Sequence, residues 1–268
     1  VFITGGPDAD TVSLTNVRPG AETTVNTLGG ADIIRVGSNA TPTTNTGGVL
    51  NRVNALLIVN AGDDAGQTDQ LLLDDSGDLL ENTGTLSDTQ LTGLGTSGIQ
   101  YAGVEDLQLW LGLAEDTLAI ASTAATTTTV INAGAGDDTI NVGHETQATV
   151  NQISGLLQIR GDGDSDTLNV FDTGDAAVNV GILTGNRLTG LGMGDSDQSM
   201  VNESRGVLYD GLEFLNISLG SQVAGGDSLT ISGVAGGTET TVDAGPGDDT
   251  ITVGDDLTLI GARLLVRG

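Results

Sequence analysis

The chain repeats itself, and a fixed internal period constrains a fold more strongly than any local motif. The stretch Thr127-Thr128-Thr129-Val130-Ile131-Asn132-Ala133-Gly134-Ala135-Gly136-Asp137-Asp138-Thr139-Ile140 returns as Glu239-Thr240-Thr241-Val242-Asp243-Ala244-Gly245-Pro246-Gly247-Asp248-Asp249-Thr250-Ile251. A weaker copy runs Thr23-Thr24-Val25-Asn26-Thr27-Leu28-Gly29-Gly30-Ala31-Asp32-Ile33-Ile34. In the same order, Leu91-Thr92-Gly93-Leu94-Gly95 returns as Leu188-Thr189-Gly190-Leu191-Gly192, and Tyr101-Ala102-Gly103-Val104-Glu105 as Tyr209-Asp210-Gly211-Leu212-Glu213. Three pairs in one order mark a long repeat, with copies over about 1–100, 101–208 and 209–268, the first and last incomplete.

A finer unit lies inside it: an aspartate two residues before an aliphatic, after a glycine-containing turn, at Asp10, Asp32, Asp69, Asp116, Asp138, Asp166, Asp227 and Asp249. Successive spacings are 22, 37, 47, 22, 28, 61 and 22 residues, so the long repeat measures 106 and then 111. Twenty-two residues suit one coil of three short strands and three turns, each strand about 4.8 Å from its neighbour in the next coil. The longer gaps then read as two or more coils, and the whole chain as about 12 coils in a rod roughly 60 Å long. The expected fold is an all-β parallel β-solenoid, one continuous domain over 1–268. Val130, Ile140, Val142, Leu168, Val170, Ile231, Val242, Ile251 and Val253 are the expected inward ladder positions, alternating with outward Thr and Asn. A repeat of this length also fits tandem Ig-like or cadherin-like sandwiches. The 22-residue sub-period and a single tryptophan, Trp110, weigh against them.

Composition agrees with short strands and tight turns: Gly 42, Pro 4, hydrophobic residues 37% and aromatics 2%. A narrow bore accepts Val, Ile and Leu more readily than rings. Net charge is −28 and lysine is absent, which removes the basic face that nucleic-acid binding needs. So acidic a chain repels itself unless cations neutralise it. Aspartate outnumbers glutamate, 28 to 8, and gathers beside glycine, a bias toward turns and metal ligands rather than general solvation. Cysteine is absent, so thiolate chemistry is excluded. No apolar run approaches the length of a membrane span.

Two of the repeated turns carry a family resemblance. Ala133-Gly134-Ala135-Gly136-Asp137-Asp138-Thr139-Ile140 and Ala244-Gly245-Pro246-Gly247-Asp248-Asp249-Thr250-Ile251 resemble the nonapeptide G-G-x-G-x-D-x-U-x of RTX, or hemolysin-type, calcium-binding repeats, departing only at the first glycine. That resemblance implies Ca²⁺ held between adjacent coils, with Asp138 and Asp249 as side-chain ligands, Asp137 and Asp248 beside them, and Gly134, Gly136, Gly245 and Gly247 shaping the loops. Gly5-Gly6-Pro7-Asp8-Ala9-Asp10 and Gly161-Asp162-Gly163-Asp164-Ser165-Asp166 match less fully, adding Asp8, Asp10, Asp162, Asp164 and Asp166 to the candidates. Independently, glycine permits loops that aim carbonyl oxygens at one point, and carboxylate oxygen suits a hard cation. Aspartate and glycine also simply make good turns. At Asp32, Asp69, Asp116 and Asp227, where the glycine pattern is incomplete, the turn reading is the stronger. The long repeats resemble those of very large bacterial surface proteins.

Other chemistry finds little footing. His144 is the one histidine and has no partner at metal spacing; no G-x-S-x-G elbow occurs. Arg160, Arg187 and Arg205 could serve a polysaccharide-active β-helix enzyme, but no local cluster distinguishes them. Thr126–Thr129 and Thr238–Thr241 read as outward β-formers. The triplets at Asn39, Asn202 and Asn216 fit glycosylation acceptors by pattern alone. The expectation is a non-enzymatic, extracellular, calcium-stabilised structural repeat protein forming a fibre, surface layer or adhesin. Its partners are copies of itself, through exposed coil ends or strand edges, or neighbouring repeats of a longer chain. The alternative is a carbohydrate-binding or cell-adhesion module with surface glycans as partners.

Overall fold

The structure, a computed structural model, describes residues 1–62, 65–143, 148–194, 205–221, 225–254 and 256–268. Its strands, in chain order, are β1 Phe2–Thr4, β2 Thr11–Leu14, β3 Thr23–Asn26, β4 Ile33–Val36, β5 Leu57–Asn60, β6 Gln70–Asp74, β7 Thr83–Leu86, β8 Gln90–Gly93, β9 Thr96–Ala102, β10 Asp106–Trp110, β11 Thr117–Ile120 and β12 Thr128–Asn132. They continue as β13 Thr139–Val142, β14 Leu156–Arg160, β15 Thr167–Phe171, β16 Val180–Thr184, β17 Arg187–Gly190, β18 Gly206–Asp210, β19 Phe214–Ser218, β20 Ser228–Ile231, β21 Glu239–Asp243, β22 Thr250–Val253 and β23 Leu264–Arg267.

The strands form two long sheets, of 12 and 11 strands, in which most neighbouring pairs are parallel. The all-β parallel solenoid is therefore the fold, and sandwich modules, built from antiparallel sheets, are not. Alternation of polar and apolar residues decides which face is buried. Val36, Leu73, Leu109, Ile131, Ile159 and Tyr209 occupy one inward column of the second sheet by strand register. Ile120, Val142, Val170, Ile217 and Val242 form its counterpart in the first sheet. Each such side chain is almost wholly withdrawn from water, a contribution of about 1.5–3 kcal/mol apiece.

Three details differ from the sequence reading. The coil has two principal strands rather than three; where a third side forms it is a single bridge, as at Val17 with Val53, Thr123 with Ile153, and Val234 with Ile260. The 37- and 28-residue aspartate spacings are each a single coil rather than two. Between Asp32 and Asp69, β4 pairs directly with β6, the added residues lying in the connector 37–56. Val130 is buried, but it shares the outward register position of Gln108 and Gln158, and Ile131 takes the core column instead. Of the other expected inward residues, Ile251 is half-buried and Val253 is 39% exposed in β22, which has a neighbour on one side only.

The two widest spacings, 47 and 61 residues, contain antiparallel meanders. In the first sheet the order β5-β9-β8-β7-β11 shows the chain running ahead to β7, returning through β8, and resuming at β9 beside β5. In the second sheet β18-β17-β16 repeats the manoeuvre. This is what the repeated Leu-Thr-Gly-Leu-Gly segments encode. Gly93 and Gly190 have φ of 80° and 81°, and a Cβ there would lie 2.1 and 2.0 Å from the carbonyl oxygens of Thr83 and Val180. The next residues, Leu94 and Leu191, are fully buried and fill the space left by Gly84 and Gly181 on the facing strand.

Candidate functional site

The aspartates of the repeated turns immediately precede strands and stack on one another. The backbone N–H of Asp10 donates to Oδ1 of Asp32 at 2.7 Å, that of Asp32 to Oδ1 of Asp69 at 2.7 Å, and that of Asp69 to Oε2 of Glu105 at 2.8 Å. A second ladder runs from the Asn82 N–H to Asp116 (2.7 Å), from Asp116 to Asp138 (2.6 Å), from Asp138 to Asp166 (3.0 Å) and from Asp166 to Oε2 of Glu213 (2.8 Å). A third joins Asn179 to Asp227 at 2.8 Å and Asp227 to Asp249 at 2.7 Å. Each carboxylate thus accepts an N–H that the turn leaves outside the sheet ladder, a charge-assisted bond of the stronger kind.

The meanders move this ladder from one side of the solenoid to the other. Asp10, Asp32, Asp69 and Glu105 follow first-sheet strands and lead into the second sheet; Asp116, Asp138, Asp166 and Glu213 do the reverse; Asp227 and Asp249 return to the first arrangement. Because the strands that lead into these turns run parallel, the first and third ladders lie along one edge and the second along the opposite edge.

The second ladder gathers most of the expected metal ligands. Its turn 133–138 stacks on the turn 161–166, so Asp137, Asp138, Asp162, Asp164 and Asp166 come from adjacent coils, with Gly134 and Gly136 between. The Gly136 N–H donates to Oδ2 of Asp164 at 3.1 Å and the Ser165 N–H to Oδ1 of Asp137 at 3.0 Å. Asp137, Asp162 and Asp164 are exposed; Asp138 and Asp166 are buried, and the Oδ2 of each has no hydrogen-bond partner. Burial, with the like charge of neighbouring carboxylates, pushes both up to about 7, against the lowering effect of the backbone N–H each accepts. In contrast, Oδ2 of Asp10, Asp116 and Asp227 is satisfied by the N–H of Gly6, Gly112 and Gly220. Asp8 and Asp10 lie at the other edge near β1, and Asp248 and Asp249, with Gly245 and Gly247, lie beside Asp227.

The turn glycines have a structural role of their own. Gly136, at φ 113°, stacks so closely that a Cβ would sit 2.6 Å from the carbonyl carbon and oxygen of Ala114; Gly30 meets Asp8 in the same way. Among the described residues no group of three or more His, Cys, Asp or Glu side chains is gathered to hold a metal ion. A cation here would therefore need backbone carbonyls as well. The orphaned, buried oxygens of Asp138 and Asp166 are hard donors of the kind Ca²⁺ takes, so the residues fit that ion in chemistry.

Sequence reasoning missed a second repeated motif. Asp75-Ser76-Gly77-Asp78-Leu79-Leu80-Glu81-Asn82 and Asp172-Thr173-Gly174-Asp175-Ala176-Ala177-Val178-Asn179 each lead into a meander. Only Asp, Gly, Asp and Asn are shared, 97 residues apart, and agreement at four of eight positions is hidden in a chain so rich in Asp and Gly. Of the remaining candidates, Arg160 donates to Oδ1 of Asn132 at 3.2 Å, and Arg187 donates to the Arg205 carbonyl in the second meander. Asn216 is in β19 and gives its amide to Asn169 at 2.9 Å. His144 and the triplet at Asn202 lie outside the described residues. No helix among the described residues is long and apolar enough to cross a membrane.

Comparison with protein families, with curated proteins and with solved structures finds no match to this chain.

Proposed function

We propose that the chain is an extracellular structural repeat segment of a fibre, surface layer or adhesin, and that Ca²⁺ neutralises its stacked acidic turns. The observation that supports it most is the pair Asp138 and Asp166: adjacent coils each present a buried carboxylate oxygen without a donor, under a rim of Asp137, Asp162 and Asp164. Bound calcium supplies the positive charge that these coils lack. Asp138 and Asp166 would hold it with turn carbonyls, while their Oδ1 atoms keep the turns in register through the N–H groups of Asp116 and Asp138. Weak sites of this sort fill at the calcium concentrations found outside cells, which couples folding to location. Association with further coils of the same kind, from copies of the chain or from neighbouring repeats, completes the structural role, since parallel strand edges pair readily.

The test is far-UV circular dichroism and thermal melting in EDTA, then with Ca²⁺, with Mg²⁺ as control. A calcium-specific rise in melting temperature supports the proposal; equal melting in EDTA and Ca²⁺ overturns it and leaves the aspartates as turn-stacking groups only.

A further inference from the structure

The two Asp-x-Gly-Asp-x-x-x-Asn segments each hold a carboxyl group wholly withdrawn from water, apart from the metal candidates. Asp75 and Asp172 are each 0% exposed. Oδ1 of Asp75 accepts the Leu50 N–H at 2.7 Å, and Oδ1 of Asp172 accepts the Val150 N–H at 3.2 Å. In both, Oδ2 is buried without a hydrogen-bond partner. The frame around them is also duplicated. Asn51 and Asn82 give their amides to Oδ2 of Asp78, at 2.9 and 3.0 Å; Asn151 and Asn179 give theirs to Oδ2 of Asp175, at 3.0 and 2.7 Å.

The two carboxyls of each segment are thus treated oppositely. Asp78 and Asp175 receive several donors, and at Asp175 these outweigh burial and hold its carboxyl below the ordinary range. Asp75 and Asp172 receive one backbone donor each, with Thr149 assisting Asp172, and the charged groups acting on them are all acidic. For Asp75 these are Asp78 of its own connector, Asp116 of the next rung and Asp74 at the end of β6; for Asp172 they are Asp175 of its own connector and Asp227 of the next rung. An ionised carboxylate in such surroundings is costly, whereas a neutral acid needs no counter-charge.

We propose that Asp75 and Asp172 are proton-holding locks, neutral in the folded chain, that fasten the two connectors from which the meanders start and release them as the pH rises. Burial pushes both carboxyls up to about 7. The folded state therefore holds protons that the unfolded chain gives up above about pH 4. Stability from each lock is complete below that pH, declines as pH rises, and is lost above about 7. The inference rests on groups apart from the proposed calcium ligands, so it stands or falls without that reading.

The experiment uses the full chain in EDTA. Thermal and urea unfolding are followed from pH 4.5 to 8.5 for the wild type, Asp75→Asn, Asp172→Asn and the double variant. Asparagine is neutral at every pH, so the double variant should match the wild type at low pH and exceed it at high pH. The expected gain in the folding equilibrium at pH 8.5 is up to about a thousandfold per site. Carboxyl ¹³C resonances of labelled aspartate give a readout that does not depend on the stability of the double variant. Each single substitution should delete one resonance that titrates near neutrality. A wild-type spectrum in which every aspartate titrates below pH 5, or single variants that leave the late-titrating set unchanged, would overturn the proposal.

Discussion

The phenolic hydroxyl of Tyr209 in β18 donates a 2.8 Å hydrogen bond to the carbonyl oxygen of Thr184, at the hairpin between β16 and β17. Tyr101 in β9 makes the same bond to Ser87 in the first meander. Both tyrosines are buried, Tyr209 at 3% and Tyr101 at 6% exposure, so the hydroxyl reaches from the core to a turn that carries no apolar side chain of its own. The two phenols, 108 residues apart, pin the chain reversals that move the aspartate ladder between edges.

Removing that hydroxyl should weaken the reversal without emptying the core. Tyr209→Phe is expected to cost about 1 kcal/mol, the net value of one hydrogen bond, and Tyr209→Ala about 3–5 kcal/mol through the cavity it leaves. Urea unfolding measures both. Equal losses for the two variants would show that the ring is not packed as described.

Oδ1 of Asp138 accepts the Asp116 N–H while its Oδ2 is an orphan, and the two oxygens can be separated by substitution. Asp138→Ala removes the acceptor and leaves a buried N–H unpaired, an expected loss of about 1–3 kcal/mol with or without calcium. Asp138→Asn keeps the acceptor and deletes the charge. In EDTA near pH 8 it should be at least as stable as the wild type, and its melting temperature should respond less to calcium. A full calcium response in Asp138→Asn would remove Asp138 from the ligand set.

The periodic parts of this architecture were legible in the sequence because they depend on local chemistry. Asp-x-aliphatic after a glycine turn marked every ladder aspartate, and the Val and Ile columns followed from alternation. The edge on which each ladder lies was not legible. It depends on β7 pairing with β11, 34 residues further on at Thr83 and Thr117, rather than with β5. The Leu-Thr-Gly-Leu-Gly repeats signalled that something recurred there, but a glycine with positive φ and a leucine turned inward are evident only once Gly84 faces Leu94. Val130 failed because Thr129 takes the inward position in the ladder between Leu107 and Leu157, shifting the apparent alternation by one residue. The ends of the first two ladders escaped too: glutamate replaces aspartate at Glu105 and Glu213, and the longer side chain reaches the same N–H from a shorter turn.

Protons and calcium should substitute for one another. Asp75, Asp138, Asp166 and Asp172 are all pushed up to about 7 by burial, whereas an unfolded aspartate ionises near 4. Between these values the folded chain binds more protons than the unfolded one, so metal-free stability falls as pH rises through that window. The gain in melting temperature on adding calcium should accordingly be small near pH 5 and largest above pH 7. Melting curves at fixed calcium from pH 5 to 8.5 provide the check; a calcium effect that shrinks with rising pH contradicts it.

Two glycines of the stacked acidic turns separate backbone stacking from cation binding. Gly136 has φ of 113° and lies against the Ala114 carbonyl, so Gly136→Ala forces both a disfavoured backbone and a clash with main chain that has no rotamer to change. Its expected cost exceeds about 1 kcal/mol, and the loss should be as large in EDTA as in calcium, because the contact is between turns. Gly163, in the next coil, has no atom within 4 Å of an added Cβ. Gly163→Ala should therefore leave metal-free stability within about 0.5 kcal/mol of the wild type. If Gly136→Ala is harmless in EDTA and costly only with calcium, the glycine shapes a cation loop; if it is costly in both, close stacking of adjacent turns is what requires the glycine.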